Sequence, residues 1–313
     1  MFSNFFQIFI LISPVFLLII LGNILRRIDF LDISFWDVSD KLAYWVLIPA
    51  LLFYFISQVS FSSEMIYSYA LILFGSYCFT LPSIFILSKL LGYNPLVWTS
   101  ILQGSMRQNA FIALAIAGSI FGDEGLKIAS LFTFIYVPSI NIIVITIMVI
   151  SLKQNTQEES KKSLVSIFIE IFKNPFILAM IAGILFSILD LKFMRIVFDT
   201  TELLGLAALP LMLLTIGAKI KVRDLKLKII PILISNSFRL VIIPIFVYFL
   251  ALYLALSQVE IVVAVIFASV PTATMSYTFA RQFGADAELM RGILTTQVAL
   301  SFITIPLLLA FVS

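Results

Sequence analysis

The chain carries the same set of landmarks twice, in the same order and at an almost constant interval. Three landmarks recur 161 residues later, and the other four recur 162 residues later. The matched pairs are Pro14 with Pro175, Gly22 with Gly183, Pro49 with Pro210, Pro82 with Pro244, Phe121-Gly122 with Phe283-Gly284, Thr133 with Thr295, and Ser139 with Ser301. Because seven ordered matches are hard to obtain by chance, the sequence predicts two copies of one structural unit.

Composition places both copies in a membrane. Hydrophobic residues make up 62% of the chain, charged residues make up 12%, and the mean hydropathy is +1.14. A soluble globular protein carries about 25% charged residues. Ten apolar stretches of about 17 to 28 residues are long enough to cross a hydrocarbon core of about 30 Å. They lie near residues 8–25, 39–57, 67–90, 96–120, 126–150, 175–190, 201–218, 229–256, 260–281 and 289–312.

Each copy contains five predicted spans, and five is an odd number. The second copy therefore begins on the opposite side of the membrane from the first, which makes the two copies an inverted repeat. Secondary transporters use this architecture, with the substrate site near the bilayer midplane where the repeats meet. We predict an all-α integral membrane protein of ten transmembrane helices. Its first five-helix repeat covers 1–152, a cytoplasmic linker covers 153–174, and the inverted second repeat covers 175–313.

The distribution of Lys and Arg predicts the orientation of these spans. Fifteen fall in one set of alternate loops, namely Arg26, Arg27, Lys41, Lys89, Lys153, Lys161, Lys162, Lys173, Lys219, Lys221, Arg223, Lys226, Lys228, Arg281 and Arg291. Only Lys127, Lys192 and Arg195 fall in the other set. The positive-inside rule makes the first set cytoplasmic and both termini extracytoplasmic. Topology also explains the basic loop at 219–228 better than a lipid or nucleic-acid patch does, so no nucleic-acid partner is expected.

The fourth and ninth spans occupy equivalent places in the repeats, and each has a polar run at mid-span. These runs cover 104–110 and 268–276, and at the repeat interval Asn109 corresponds to Pro271. Polar side chains and a proline are costly at that depth unless they line a cavity or a helix discontinuity. A simple proline kink at Pro271 is the alternative reading. The matched runs favour two broken helices that cross, with helix N-termini able to bind an anion.

Arg107 is the most informative single residue. It lies near the middle of the fourth span, where an arginine costs about 2.5–3.5 kcal/mol on insertion scales. None of the ten predicted spans contains a deep Asp or Glu that could pair with it. Arg107 must therefore meet backbone carbonyls, water or an anionic ligand. The predicted substrate-binding residues are Gln103, Arg107, Gln108, Asn109, Pro271, Thr272 and Thr274. Arg239 raises the same question, but snorkelling toward the cytoplasm is a fair alternative there.

Several strings, taken in order, resemble the auxin efflux carrier family of ten-helix secondary transporters. The family includes plant PIN-type carriers and bacterial carriers often described as malonate or malate transporters. The similar strings cover residues 21–27, 46–53, 107–114, 174–177, 209–218 and 271–273, followed by 283–286. No single string is strongly specific, but their order and spacing together are. The resemblance extends over nearly the whole chain and is closest to the bacterial members.

The resemblance implies a sodium/proton-antiporter-like fold in which helices 4 and 9 cross as broken helices and move like an elevator. It implies that Asn109 contacts a substrate carboxylate and that Pro271 is the crossover proline of helix 9. In PIN-type carriers a proline also stands in the helix-4 crossover, whereas Gln108 occupies that place here. The chain also lacks the long central loop of PIN-type carriers. A homodimer is compatible with the family.

Three classes of function compete at this stage. A carrier for a small organic anion fits Arg107 best, and a mono- or dicarboxylate is the expected substrate. A cation/proton antiporter on the same fold would need a carboxylate at the midplane, and none is found. A non-transporting sensor or a channel is the third class. An enzyme is least expected, because the chain has no His and no acidic pair at depth. No cofactor or metal is predicted.

Overall fold

The computed structural model describes residues 2–59, 63–152, 173–189, 195–220 and 228–312, and no strand occurs in these ranges. Eleven helical elements are formed there. They are α1 (Phe2–Arg27), α2 (Ile33–Ile56), α3 (Ser63–Leu90), α4 (Pro95–Met106), α5 (Ala110–Leu152), α6 (Pro175–Ile188), α7 (Arg195–Lys219), α8 (Ile229–Tyr253), α9 (Gln258–Ser269), α10 (Met275–Gln282) and α11 (Ala287–Val312).

The helices have the length and apolar character of membrane spans. Within the described ranges, seven helical runs are long and apolar enough to cross a bilayer, and α6 and α9 are shorter apolar helices. Large apolar side chains such as Ile10, Ile24, Phe249 and Phe311 are exposed on the outside of the bundle. Such an apolar exterior is the surface that lipid tails cover. The prediction of an all-α integral membrane protein with many spans is confirmed.

One of these runs is far too long to be a single span. The run Pro95–Leu152 contains 58 residues, which as one straight helix would be about 87 Å long. It is interrupted at residues 107–109, between α4 and α5, and again at Gly122, where φ is 57° and ψ is −137°. A positive φ of this kind suits glycine, because glycine has no Cβ. The predicted break in the fourth span is confirmed.

A second break separates α9 from α10. Residues 270–274 leave the helical path, with Val270 extended at φ −66° and ψ 150°. The break contains Pro271, which has no backbone N–H to donate to a helix. The predicted break in the ninth span is therefore confirmed, and it is more than a proline kink because two separate helices flank it.

Glycines bring two pairs of helices into backbone contact. A Cβ on Gly22 of α1 would lie 2.0 Å from the carbonyl oxygen of Leu214 on α7, so only glycine fits there. A Cβ on Gly183 of α6 would lie 3.0 Å from the carbonyl oxygen of Phe53 on α2. Gly183 is the counterpart of Gly22 at the 161-residue interval, and Phe53 stands 161 residues before Leu214. The same contact therefore occurs twice, with the two halves of the chain exchanged.

Two π-helical turns interrupt otherwise regular helices, and each lies just ahead of a proline. The turn Ala43–Leu47 in α2 precedes Pro49, and the turn Phe238–Ile242 in α8 precedes Pro244. Proline clashes with the carbonyl four residues earlier, and a wider turn relieves the clash. The second turn contains Arg239, which points into the centre of the bundle.

Most of two predicted features lies outside the described residues. Of the predicted cytoplasmic linker the structure describes only Lys173 and Asn174, and of the predicted basic loop it does not describe residues 221–227. The orientation of the termini stays a prediction.

Candidate functional site

The two breaks meet in the centre of the bundle. The backbone N–H of Asn109 donates to the carbonyl oxygen of Pro271 at 2.9 Å. These residues are counterparts at the 162-residue interval. The N–H of one unwound segment and the carbonyl oxygen of the other thus satisfy each other. Buried backbone groups at membrane depth require such hydrogen-bond partners.

Gln297 of α11 holds the two broken helices together. Its Nε2 donates to the carbonyl oxygen of Gly104 at 3.0 Å, and its Oε1 accepts from the N–H of Thr272 at 2.8 Å. Thr272 also lies beside Gln103, with Oγ1 3.5 Å from the Gln103 carbonyl oxygen, and beside Ser276, with 3.1 Å between the hydroxyls. A single buried amide therefore satisfies backbone groups from both breaks.

Tyr136 of α5 performs a similar task for Gln108. Its hydroxyl accepts the N–H of Gln108 at 2.6 Å and donates to the carbonyl oxygen of the same residue at 3.0 Å. The side chain of Gln108 extends the other way, where its Oε1 accepts from Arg239 at 3.1 Å. The middle residue of the first break is thereby held on both sides.

Arg239 of α8 caps the C-terminal end of α9. Its Nε donates to the carbonyl oxygen of Val270 at 2.7 Å, and its Nη2 donates to that of Phe267. Only 1% of the residue is exposed. The last carbonyls of a helix lack partners within the helix and attract a positive charge. Arg239 borders a small cavity of ≈ 20 Å³ behind the crossing and does not line the large cavity described below.

Arg107 follows the last residue of α4 and has a different environment. It is extended, at φ −75° and ψ 132°, and 5% exposed. Its Nη2 donates to Oδ1 of Asn141 at 3.0 Å, and its guanidinium carbon lies 4.4 Å from the centre of the Phe279 ring. Its Nε and Nη1 have no hydrogen-bond partner. None of the ion pairs in the described part of the chain involves Arg107.

A cavity of ≈ 680 Å³ leads to Arg107. Gln108, Asn109 and Thr274 line its inner end together with Arg107, and Asn141 and Thr295 lie on its wall. Of the other predicted site residues, Gln103, Pro271 and Thr272 do not belong to the cavity wall; they are packed in the crossing. The outer part is lined by residues at the basic ends of the spans, including Arg26, Lys219 and Arg291.

The outer cations have acidic neighbours, which distinguishes them from Arg107. Lys219 lies 2.6 Å from Asp40, Arg26 lies 2.8 Å from Asp29, and Arg291 lies 3.5 Å from Glu288. These pairs are partly exposed and stabilise the fold by little. Among the described residues that line the cavity, Arg107 is the cation that no carboxylate neutralises.

Asn109 is the N-cap of α5. Its Oδ1 accepts from the N–H groups of Phe111 at 3.2 Å and Ile112 at 3.4 Å. The amide oxygen is therefore committed to the helix, which leaves the NH₂ as the amide group of this cavity-lining residue that can donate a hydrogen bond. The N-terminal residues of α10 also line the cavity, at Thr274 and Met275.

Sequence reasoning did not assign Tyr136 and Phe279 to the site. Both are aromatic residues within predicted spans, at 126–150 and 260–281, and chemically similar residues fill the bundle. Gln297 carried a signal, because it is an amide inside a span, but the sequence did not indicate that it bridges the two breaks.

The family model for "Membrane transport protein" matches residues 7–309. The chain belongs to this family, the auxin efflux carrier family. The match covers nearly the whole sequence, including both breaks and all residues of the cavity. Membership identifies an integral, multi-pass membrane transporter that acts on a small molecule and contacts lipid. In general, the members of this family are transporters and not enzymes. No curated protein matches the chain.

Proposed function

We propose that this transporter is a bacterial-type carrier of small organic anions, and that the anion binds as a carboxylate at the inner end of the cavity. The observation that carries the proposal is Arg107. Arg107 lines the cavity, its guanidinium has no acidic partner, and the buried Nε and Nη1 have no hydrogen-bond partner. Such a charge is costly in a membrane unless an anion or ordered water meets it.

Two helix ends add to the positive character of this site. The first residues of α5, from Ala110, and of α10, from Met275, line the cavity. The N-terminus of a helix carries a partial positive charge and favours anions. The NH₂ group of Asn109 is placed to donate a hydrogen bond to the same ligand. Arg107, Asn109 and the helix ends are therefore the proposed carboxylate-binding groups, and Thr274 and Gln108 support them.

The rest of the cavity wall is mainly aromatic and aliphatic. Tyr44, Phe111, Phe176, Ile140 and Met212 are among its residues. A wall of this kind suits the carbon skeleton of an organic acid better than a hydrated inorganic ion. The volume of ≈ 680 Å³ is sufficient for a small carboxylate.

We further propose the ten-helix inverted-repeat fold. In that count α4 with the first part of α5 forms the fourth span, the rest of α5 forms the fifth, and α9 with α10 forms the ninth. The exchanged contacts of Gly22 with Leu214 and Gly183 with Phe53 support the repeat. So does the hydrogen bond between the counterparts Asn109 and Pro271.

An elevator movement is the proposed mechanism. The groups that hold the crossing, Tyr136, Arg239 and Gln297, lie on α5, α8 and α11. The facing wall of the cavity comes from α2, α6 and α7, of which α2 packs closely on α6 and α7, and α7 packs on α1. The crossing is tied to α5, α8 and α11, and the wall that it faces belongs to α2, α6 and α7. The crossing can therefore move as a unit against that wall.

Thermal stabilisation of the purified protein tests the anion proposal. Malonate, malate, succinate and indole-3-acetate would be compared with sodium and with neutral and cationic compounds, in wild type, Arg107→Ala and Lys89→Ala. Lys89 is an exposed cation that does not line the cavity, so it serves as the matched control. We expect a carboxylate to raise Tm in wild type and in Lys89→Ala and to have no effect on Arg107→Ala.

Two other outcomes would decide against the proposal. A shift with sodium alone would favour a cation/proton antiporter on the same fold. A carboxylate shift that persists in Arg107→Ala would place the anion elsewhere. A homodimer is not required by any of these steps.

A further inference from the structure

The first break contains three consecutive residues, and the helix no longer supplies a partner for the backbone N–H of the last two. The N–H of Arg107 still reaches the carbonyl oxygen of Gln103 at 2.9 Å, and the N–H of Asn109 reaches Pro271. Gln108 lies between them, and both of its backbone groups bond to one side chain. That side chain is Tyr136, which is 28 residues away in sequence.

The geometry of this contact is restrictive. A tyrosine hydroxyl has one proton to donate and lone pairs to accept. Here the hydroxyl accepts from the Gln108 N–H and donates its proton to the Gln108 carbonyl oxygen. The ring is 4% exposed, so packing holds the hydroxyl in place. Because its single proton is already used within the protein, Tyr136 has none left to donate to a ligand.

We propose that Tyr136 is a positioning residue that holds the unwound segment 107–109 in the anion-binding conformation through the backbone of Gln108. Arg107 and Asn109, the two groups proposed to bind the carboxylate, flank the clamped residue. If Gln108 turns, both of its neighbours move. Tyr136 also lines the cavity, but its hydroxyl sets the distance between the guanidinium and the amide through the backbone, without donating a hydrogen bond to the substrate. The binding part of this inference rests on the proposed function.

Proline at position 108 provides a way to separate this role from simple packing. Proline has no N–H, so the hydroxyl would have no donor to accept from. The backbone of Arg107, at φ −75° and ψ 132°, already lies in the region that a residue before proline prefers. In a Gln108→Pro protein the hydroxyl keeps only its bond to the carbonyl oxygen of residue 108, and the proline ring already restricts the backbone there. The loss of the Tyr136 hydroxyl should therefore matter less than in a protein whose residue 108 has an N–H.

The experiment introduces Tyr136→Phe into two backgrounds, Gln108→Ala and Gln108→Pro. Both backgrounds lose the glutamine side chain and its bond to Arg239, and they differ in whether residue 108 has an N–H. The Kd of the carboxylate that stabilises the wild type is measured in all four proteins. We expect Tyr136→Phe to raise the Kd about tenfold in the alanine background and less than about threefold in the proline background.

Hydrogen exchange of the peptide covering 104–112, measured without any ligand, completes the test. Tyr136→Phe should accelerate exchange in the alanine background and leave it nearly unchanged in the proline background. Equal effects in the two backgrounds would overturn the inference, because a direct ligand contact or a packing role would not depend on the N–H of residue 108. No effect in either background would overturn it as well.

The Kd measurements and the hydrogen-exchange measurements also allow this inference to be tested separately from the proposed function on which it rests. If no carboxylate binds the wild type, the anion proposal fails, while the exchange measurements still decide whether Tyr136 clamps the break.

Discussion

Arg107 and Arg239 are both buried arginines within predicted spans, and the difference between them lies in what their guanidinium groups contact. Arg239 donates to two carbonyls of the α9 end and to Gln108. Arg107 has Asn141 and the face of Phe279, and two of its nitrogens remain unpaired beside the cavity. The first arginine is committed to the fold, and the second is the one that we propose binds the ligand.

Alanine at each position should separate stability from binding. Arg239→Ala leaves the carbonyls of Phe267 and Val270 without their donor, so we expect the free energy of unfolding to fall by about 2 kcal/mol or more. Arg107→Ala removes a poorly compensated buried charge, so we expect Tm to stay the same or to rise while binding is lost. Thermal unfolding in detergent checks both. A larger stability loss for Arg107→Ala than for Arg239→Ala would contradict this assignment.

Asn109 allows the helix cap to be separated from the ligand contact. Asn109→Asp keeps an oxygen that can cap α5 but replaces the amide NH₂ with negative charge. We expect little change in Tm and a loss of carboxylate binding, because aspartate is also a good N-cap but repels an anion. Asn94→Asp is the matched control, since Oδ1 of Asn94 caps α4 by accepting from Val97 at 3.1 Å outside the cavity. Binding equal in the two variants would argue against Asn109 as a ligand.

At the scale of elements, close approach between helices depends on glycine. A Cβ on Gly217 would lie 1.9 Å from the carbonyl oxygen of Ile19, and one on Gly22 would meet the backbone at Leu214. Backbone atoms cannot move aside as the end of a side chain can. The pair α1 and α7 is thus held at a separation that only glycine permits, and the wall opposite the crossing is built on it.

A methyl group at this interface should force α1 and α7 apart. We expect Gly217→Ala to destabilise the protein by about 1–3 kcal/mol, the range for an overpacked core. Gly75→Ala is the control, because its Cβ would meet only the terminal Cδ2 of Leu250, at 2.9 Å. Size-exclusion profiles and Tm of the two variants would be compared. An equal effect of both substitutions would show that backbone contact is not what limits this interface.

At the scale of the whole molecule, the proposed elevator mechanism divides the helices into two sets, which both contribute to the cavity wall. The rings of Phe111 on α5 and Phe176 on α6, which both line the cavity, meet edge to face with 5.8 Å between their centres. The rings of Phe79 on α3 and Phe246 on α8 stack at 4.6 Å within the set that carries the crossing. An elevator movement changes the first distance and preserves the second.

Cross-linking can test which distance changes during transport. In a Cys78→Ala background, cysteines replace Phe111 and Phe176 in one protein and Phe79 and Phe246 in another, and a short bismaleimide joins each pair. We expect the cross-link at 111 and 176 to stop carboxylate transport in liposomes and the cross-link at 79 and 246 to leave most of it. Transport that survives the first cross-link would exclude a movement between these two sets of helices.

The class of the protein and the positions of both breaks follow from the amino-acid sequence alone. These features depend on local composition, because apolar runs set the spans, and mid-span polar residues and Pro271 mark where a helix cannot continue. The sequence also singled out Arg107, since the spans contain no acid to pair with it. The breaks were predicted correctly for this reason, and the family was predicted correctly from the order and spacing of the strings that resemble it.

The hydrogen-bond partners of the polar residues are known only from the three-dimensional packing of the helices. Arg239 and Gln108 are 131 residues apart, and Gln297 bonds to Gly104 across 193 residues. No local pattern encodes such pairs, because each depends on how distant helices pack. The same holds for Tyr136, whose hydroxyl would pass for an ordinary interhelical contact until the unwound backbone of Gln108 is placed against it. Local chemistry therefore set where the helices break, and long-range packing set which buried arginine is satisfied by the fold and which keeps nitrogens without partners.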